Sequence, residues 1–120
     1  MTTTSLASVT MDCADPVPLA AFWAGMTGGE VTFSSPRFCA VETPALYLSA
    51  VAVDDYRPPT WPTGARPQYL HLDLTTPDLD AAEAEALALG AAKEPQQREP
   101  DRFRVYRDPA GHPFCLRKAG

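Results

Sequence analysis

The stretch "QYLHLDLTTPDLDAAEAEALALGA", residues 68–91, decides the fold. Its first seven residues alternate. Leu70, Leu72 and Leu74 fall on one face of an extended chain, and Tyr69, His71 and Asp73 on the other, which is the period of a strand. At Thr76, Pro77 and Asp78 the pattern changes. Leu79, Ala82, Ala86 and Leu89 then recur at helical spacing, Ala and Glu fill the positions between, and Gly90 ends the run. The unit is a strand feeding directly into a helix. An ordinary half-buried strand turns its polar face to water, but this one presents an aromatic ring, an imidazole and a carboxylate in a row.

The same unit occurs once before. "SVTMDC" reads as a strand, and "ADPVPLAAFWAGMTGG" as a helix with Asp15 as N-cap, Pro16 in the first turn and an apolar stripe of Leu19, Phe22, Trp23 and Met26. Gly28 and Gly29 supply its stop. Asp78 follows Asp15 by 63 residues, and His71 follows Ser8 by the same 63. Each helix is succeeded by strand-like runs: "EVTF", "RFCAVE" and "ALYLSAVAV" in the first half; a short one near Ala92, then "RFRVYRD" and "HPFCLRK", in the second. The chain therefore reads as one domain, residues 1–120, made of two modules of strand, helix and strands. The first spans about 5–53 and the second about 68–118, with a Pro-rich extended linker at 54–67. Trp61 in that linker needs a surface to pack on, either pinning the linker to the domain or lidding a cavity.

Composition narrows the classes. A net charge of −5 and a pI near 4.8 supply no basic field for nucleic acid. No apolar run is long enough for a membrane span, and "MTTTSLASVT" lacks the order of a secretory signal. Cys13, Cys39 and Cys115 fit neither a disulfide framework nor a CxxC zinc site, so a reducing cytoplasm is the expected location. Charge is uneven. From Lys93 onward, Lys93, Arg98, Arg102, Arg104, Arg107, Arg117 and Lys118 outnumber Glu94, Glu99, Asp101 and Asp108. That excess reads as a solvated, self-paired face or as a contribution to holding an anionic ligand group.

Three segments, "VTMDCADPVPLAAFWAGMTGGEV", "YRPPTWP" with "RPQYLHLDLTTPDLDAAEAEALALGA", and "VYRDPAGHPFCL", together resemble the vicinal oxygen chelate superfamily, which includes glyoxalase I, bleomycin-resistance proteins, fosfomycin-resistance enzymes and extradiol dioxygenases. The nearest likeness is to small bacterial glyoxalase-like proteins. The resemblance implies an α+β fold of two βαβββ modules, curled into an open U-shaped barrel with the helices outside. It also implies a homodimer and, in enzyme members, a divalent metal in the cavity.

The family's ligand positions are only partly kept. His71 stands where the resemblance expects a metal ligand. Ser8 stands where His or Gln is usual, and Cys115 where Glu is usual. This set is poor for magnesium or manganese. Zinc would need His71 and Cys115 to converge, with Asp73 as a third donor. The expectation is that no metal cofactor is used, the ligand set being incomplete, and that His112 is a turn histidine. Strand parity then gives a cavity lining of Ser8, Thr10, Tyr47, Ser49, Tyr69, His71, Asp73, Phe103, Val105 and Cys115, with Trp61 as a lid. That lining suits a small organic, partly aromatic ligand.

The expected function is metal-independent binding of such a ligand, as in bleomycin resistance, a cationic ligand being helped by the net −5 charge. Two enzymatic alternatives stand beside it. One is a metal-free isomerase or lyase using His71 and Asp73, with side-chain bases roughly 7 Å apart by strand geometry. The other is a metal-dependent glyoxalase, dioxygenase or thiol transferase. Cys115 itself reads as a buried thiol.

Overall fold

A computed structural model describes residues 2–120 and divides the chain into two units, Met1–Arg57 and Pro58–Gly120. The first contains β1 (Ser8–Cys13), α1 (Pro16–Thr27), β2 (Glu30–Ser34), β3 (Phe38–Glu42) and β4 (Tyr47–Ala52). The second contains β5 (Leu72–Thr76), α2 (Leu79–Leu89), β6 (Ala92–Lys93), β7 (Phe103–Arg107) and β8 (Pro113–Lys118). Each is a βαβββ module with one four-stranded sheet, in the orders β1-β4-β3-β2 and β5-β8-β7-β6. In each the first strand runs parallel to the last, and the remaining pairs are antiparallel. This is the two-module α+β fold expected from the sequence. The linker is split between the units, because its Pro58–Pro67 part belongs with the second.

The local signals act as read. Asp15 accepts from Val17 N and Asp78 from Ala81 N, satisfying amides that a helix start leaves free. Gly28 ends α1 at φ 68°, a left-handed position that favours glycine.

The first module has an apolar helix–sheet interface. Leu19, Phe22 and Trp23 of α1 are buried, as are Cys39, Val41, Leu48 and Ala50 on the sheet. Phe22 and Trp23 meet edge to face at 5.2 Å.

The second module is held differently. Only Leu79 and Ala86 of α2 are buried; Leu89, expected on the apolar face, is 41% exposed. Polar ties make up the difference. Glu83 on α2 accepts from the buried Tyr106 hydroxyl at 2.7 Å and pairs with Lys93 at 2.8 Å and Arg104 at 3.4 Å. Lys93, then Tyr106, hold the Glu83 carboxyl below its usual pKa, with Arg104 adding to the effect. Burial, then Glu83, push the Tyr106 hydroxyl up. Beneath the helix, Tyr106 stacks on Phe114 at 5.6 Å.

One expected boundary is corrected. The strand begins at Leu72, not Gln68. Tyr69 and Leu70 lie outside it and are 90% and 81% exposed. Leu72 pairs with Phe114, and the residue before Phe114 is Pro113, which has no N–H to extend the ladder.

Candidate functional site

Register builds the site. In the second sheet Asp73 lies opposite Cys115, and Cys115 opposite Val105. One layer along, Arg117 lies between Thr75 and Phe103. The alternation of side chains puts Asp73, Cys115, Val105, Arg117 and Phe103 on the face away from Tyr106 and Phe114. His71, two residues before Asp73, joins them.

Three side chains converge there. His71 Nε2 is 3.3 Å from Asp73 Oδ1, and one donor atom from each of His71, Asp73 and Cys115 lies within 4.8 Å of the others. The expected 7 Å between the His71 and Asp73 bases is corrected by this distance. The two side chains lean together, so Asp73 is placed to orient the imidazole rather than to act as a second, separate base. Cys115 is 7% exposed. Burial, then the neighbouring Asp73 carboxylate, push its thiol up to about 11, while Arg117 opposes them. It is a protonated thiol in this setting rather than a ready thiolate.

Trp61 comes to the same place from the linker. Its ring meets the His71 imidazole edge to face at 5.2 Å. Arg107 fixes this approach by donating to the Pro59 carbonyl at 2.9 Å and to the Trp61 carbonyl at 3.4 Å, while pairing with Glu94. Pro58 is also seated closely. A Cβ on Gly111 would lie 2.6 Å from the Pro58 Cβ, and Gly111 has φ 86°. The "DPAG" turn therefore needs a glycine for both shape and space. The carboxylate of Asp108, 4% exposed, closes that turn by accepting from Ala110 N and His112 N, both at 2.9 Å.

A pocket of about 570 Å³ in the second module has Trp61, Phe103 and Val105 as apolar surface and His71, Asp73 and Cys115 as a polar patch. Tyr69 is not among its lining residues, and its hydroxyphenyl is exposed. The first-module candidates form their own group on one face of the first sheet, Ser8 opposite Tyr47 and Thr10 opposite Ser49. There the Tyr47 hydroxyl donates to Glu42 at 2.6 Å, and Ser49 is buried. His112 lies in the turn before β8, as expected. Sequence reasoning did not single out Arg107 and Glu94. Arg107 binds carbonyls more than 40 residues away, a contact that no local spacing announces.

The donor set can be compared with what a metal would require. Two ligands on one tetrahedral zinc, each at roughly 2.0–2.2 Å, stand about 3.4 Å apart. The His71–Asp73 separation fits that spacing. One nitrogen, one carboxylate oxygen and one sulfur suit zinc and not magnesium or manganese, which take oxygen ligands.

The comparisons agree with the fold. Residues 8–117 match the family model described as a glyoxalase-like domain. The chain belongs to this family, and so to the vicinal oxygen chelate superfamily. Among solved structures it is similar to the genomically encoded fosfomycin resistance protein FosX from Listeria monocytogenes, at 18% identity and TM-score 0.74, covering 99% of this chain and 96% of that one. It is also similar to a glyoxalase/bleomycin resistance protein/dioxygenase family enzyme from Burkholderia phytofirmans, at 17% identity and TM-score 0.72, over 96% and 98% of the two chains. A glyoxalase-related enzyme from Fulvimarina pelagi aligns at 16% identity and TM-score 0.69, over 96% and 88%. At these identities the likeness is one of fold. No curated protein matches the chain.

Proposed function

We propose that the protein binds a small, partly aromatic organic molecule in the second-module pocket and sequesters it, the chain's own residues sufficing without a metal. One observation carries this reading: Trp61, brought over the sheet by Arg107, faces His71 at 5.2 Å in a pocket whose other apolar walls are Phe103 and Val105. An aromatic edge, an aliphatic wall and a few converging polar groups are the usual make-up of a small-molecule site. Tryptophan offers a planar ligand a stacking or edge contact worth about 0.5–1.5 kcal/mol beyond area burial. The bleomycin-resistance, sequestering version is the form this reading takes for a family with resistance proteins among its structural neighbours. A homodimer in a reducing cytoplasm is the expected state. The three cysteines are free, and no helix among the described residues is long and apolar enough to cross a membrane.

A second reading is favoured by the His71–Asp73–Cys115 convergence. Here the protein is an enzyme. His71, oriented by Asp73, takes a proton next to a ligand carbonyl; returning it at another position is isomerisation, and expulsion of a β-leaving group with its electron pair is lyase chemistry. A zinc-type ion, if held by these three side chains, would supply Lewis-acid polarisation of a carbonyl.

A fluorescence titration with bicyclic aromatic ligands on chelator-dialysed protein separates the two readings. The first predicts micromolar binding that survives dialysis and is lost in Trp61→Ala. Binding that requires added zinc and vanishes in Cys115→Ala would reverse the order.

A further inference from the structure

We propose that the second-module pocket selects an organic anion, with Arg98 and Arg117 holding its charged end. The inference rests on the pocket reading above and concerns which ligands it admits. Four charged side chains line that pocket besides His71: Asp73, Glu94, Arg98 and Arg117. Glu94 is paired with Arg107, and Asp73 lies 3.3 Å from His71, whose imidazole balances that charge only when it is protonated. Neither arginine makes an ion pair among the described residues. Arg37, Lys93, Arg102, Arg104 and Arg107 are engaged by acids, whereas Arg57, Arg66 and Lys118 form no ion pair among the described residues but do not line this pocket.

In a chain of net charge −5, with acids in excess, two unneutralised guanidiniums beside one pocket are available to a ligand. The net charge speaks for a cationic ligand, while the guanidiniums within a screening length of the pocket speak for an anion. A guanidinium presents paired N–H donors that match a carboxylate, phosphate or sulfonate.

The layers also give the ligand a length and a direction. Arg117 sits beside Phe103, opposite Thr75, and Trp61 sits at His71. Within β5, Thr75 stands about 7 Å beyond Asp73, so Arg117 and Trp61 mark different parts of the lining. The lining suits a planar, two-ring body toward Trp61 with one acidic group toward Arg117, and Arg98 adds a second guanidinium to the same lining.

Isothermal titration calorimetry with 2-naphthoate and its uncharged counterpart 2-naphthamide tests this. On the native chain, naphthoate is expected to bind about tenfold or more tightly than the amide, a margin of about 1.4 kcal/mol, and to weaken as salt is raised. In Arg98→Gln/Arg117→Gln the preference should collapse while amide binding persists. Arg98→Lys/Arg117→Lys should recover part of it. Arg102→Gln, which removes a cation outside the pocket, should leave it intact. Thermal melts confirm that each variant is folded. Equal binding of the two probes to the native chain overturns the anion inference and leaves the pocket reading standing. Binding of neither probe overturns both.

Discussion

The two modules share one topology and use it differently. In the first, α1 is fixed by apolar burial: Trp23 and Phe22 are 1% and 2% exposed. The sheet face away from α1 carries the hydroxyls of Ser8, Thr10, Tyr47 and Ser49 beside Phe38 and Val51. In the second, α2 buries little and is tied by Glu83 to Tyr106, Lys93 and Arg104, while the open face carries an imidazole, a carboxylate and a thiol. Register makes the comparison position by position. Thr10 opposite Ser49, with Ala40 beyond, becomes Asp73 opposite Cys115, with Val105 beyond. One backbone plan supports both arrangements because side chains on the open face do not determine how the helix packs on the other. The second module can therefore carry an imidazole and a carboxylate on that face without disturbing the helix-facing core.

Four changes would break or sharpen this contrast. The largest effect falls on the apolar module. Trp23→Ala should cost about 3–5 kcal/mol by denaturant unfolding, the range for removing a buried aromatic. A loss below about 1 kcal/mol would show that the α1 interface is not the main support of that module. Next comes a conversion of the second face to the first: Asp73→Thr with Cys115→Ser should weaken aromatic ligand binding by about tenfold, or about 1.4 kcal/mol, with the melting profile kept. Unchanged binding would place the ligand elsewhere.

The polar tie is smaller again. Glu83→Gln should cost about 1–2 kcal/mol at neutral pH, the scale of a charge-assisted hydrogen-bond set that is partly solvated. Because the Glu83 pKa is lowered on folding, its contribution is complete above the usual carboxylate range and is lost as pH falls through the folded value. The gap between native and variant urea midpoints should therefore narrow from pH 7 to pH 3. A gap independent of pH would mean that the carboxylate's charge is not what ties the helix. The smallest effect belongs to the hydroxyl face. Tyr47→Phe removes an exposed bond to Glu42 and should change neither the unfolding midpoint nor ligand affinity.

Much of this was legible in the sequence because it is local. Asp15, Asp78, Gly28 and Gly90 mark the helices by rules that act within one turn. Alternation put Asp73 and His71 on one face before any partner strand was known. Other features escaped for physical reasons. Alternation records which residues are apolar, not how long the partner strand is, so it extends to Tyr69 and Leu70 although the strand itself begins at Leu72, opposite Phe114 and one residue past Pro113. Glu83 reads as a helix former and gives no hint that three side chains from the sheet will meet it. Strand rise fixes where backbones stand but not how far side chains lean, which is why His71 and Asp73 touch. The seat of Trp61 depends on Arg107, distant in sequence, and only the folded chain brings them together.

The central claim is that the second-module face is where the ligand sits. Amide chemical-shift mapping of isotopically labelled protein titrated with 2-naphthoate tests it most directly. The account predicts that the largest shifts cluster at His71–Asp73, Phe103–Val105 and Cys115–Arg117, with the Trp61 indole N–H moving alongside them. Shifts centred instead on Ser8, Thr10, Tyr47 and Ser49, with the second-module residues unmoved, would contradict it.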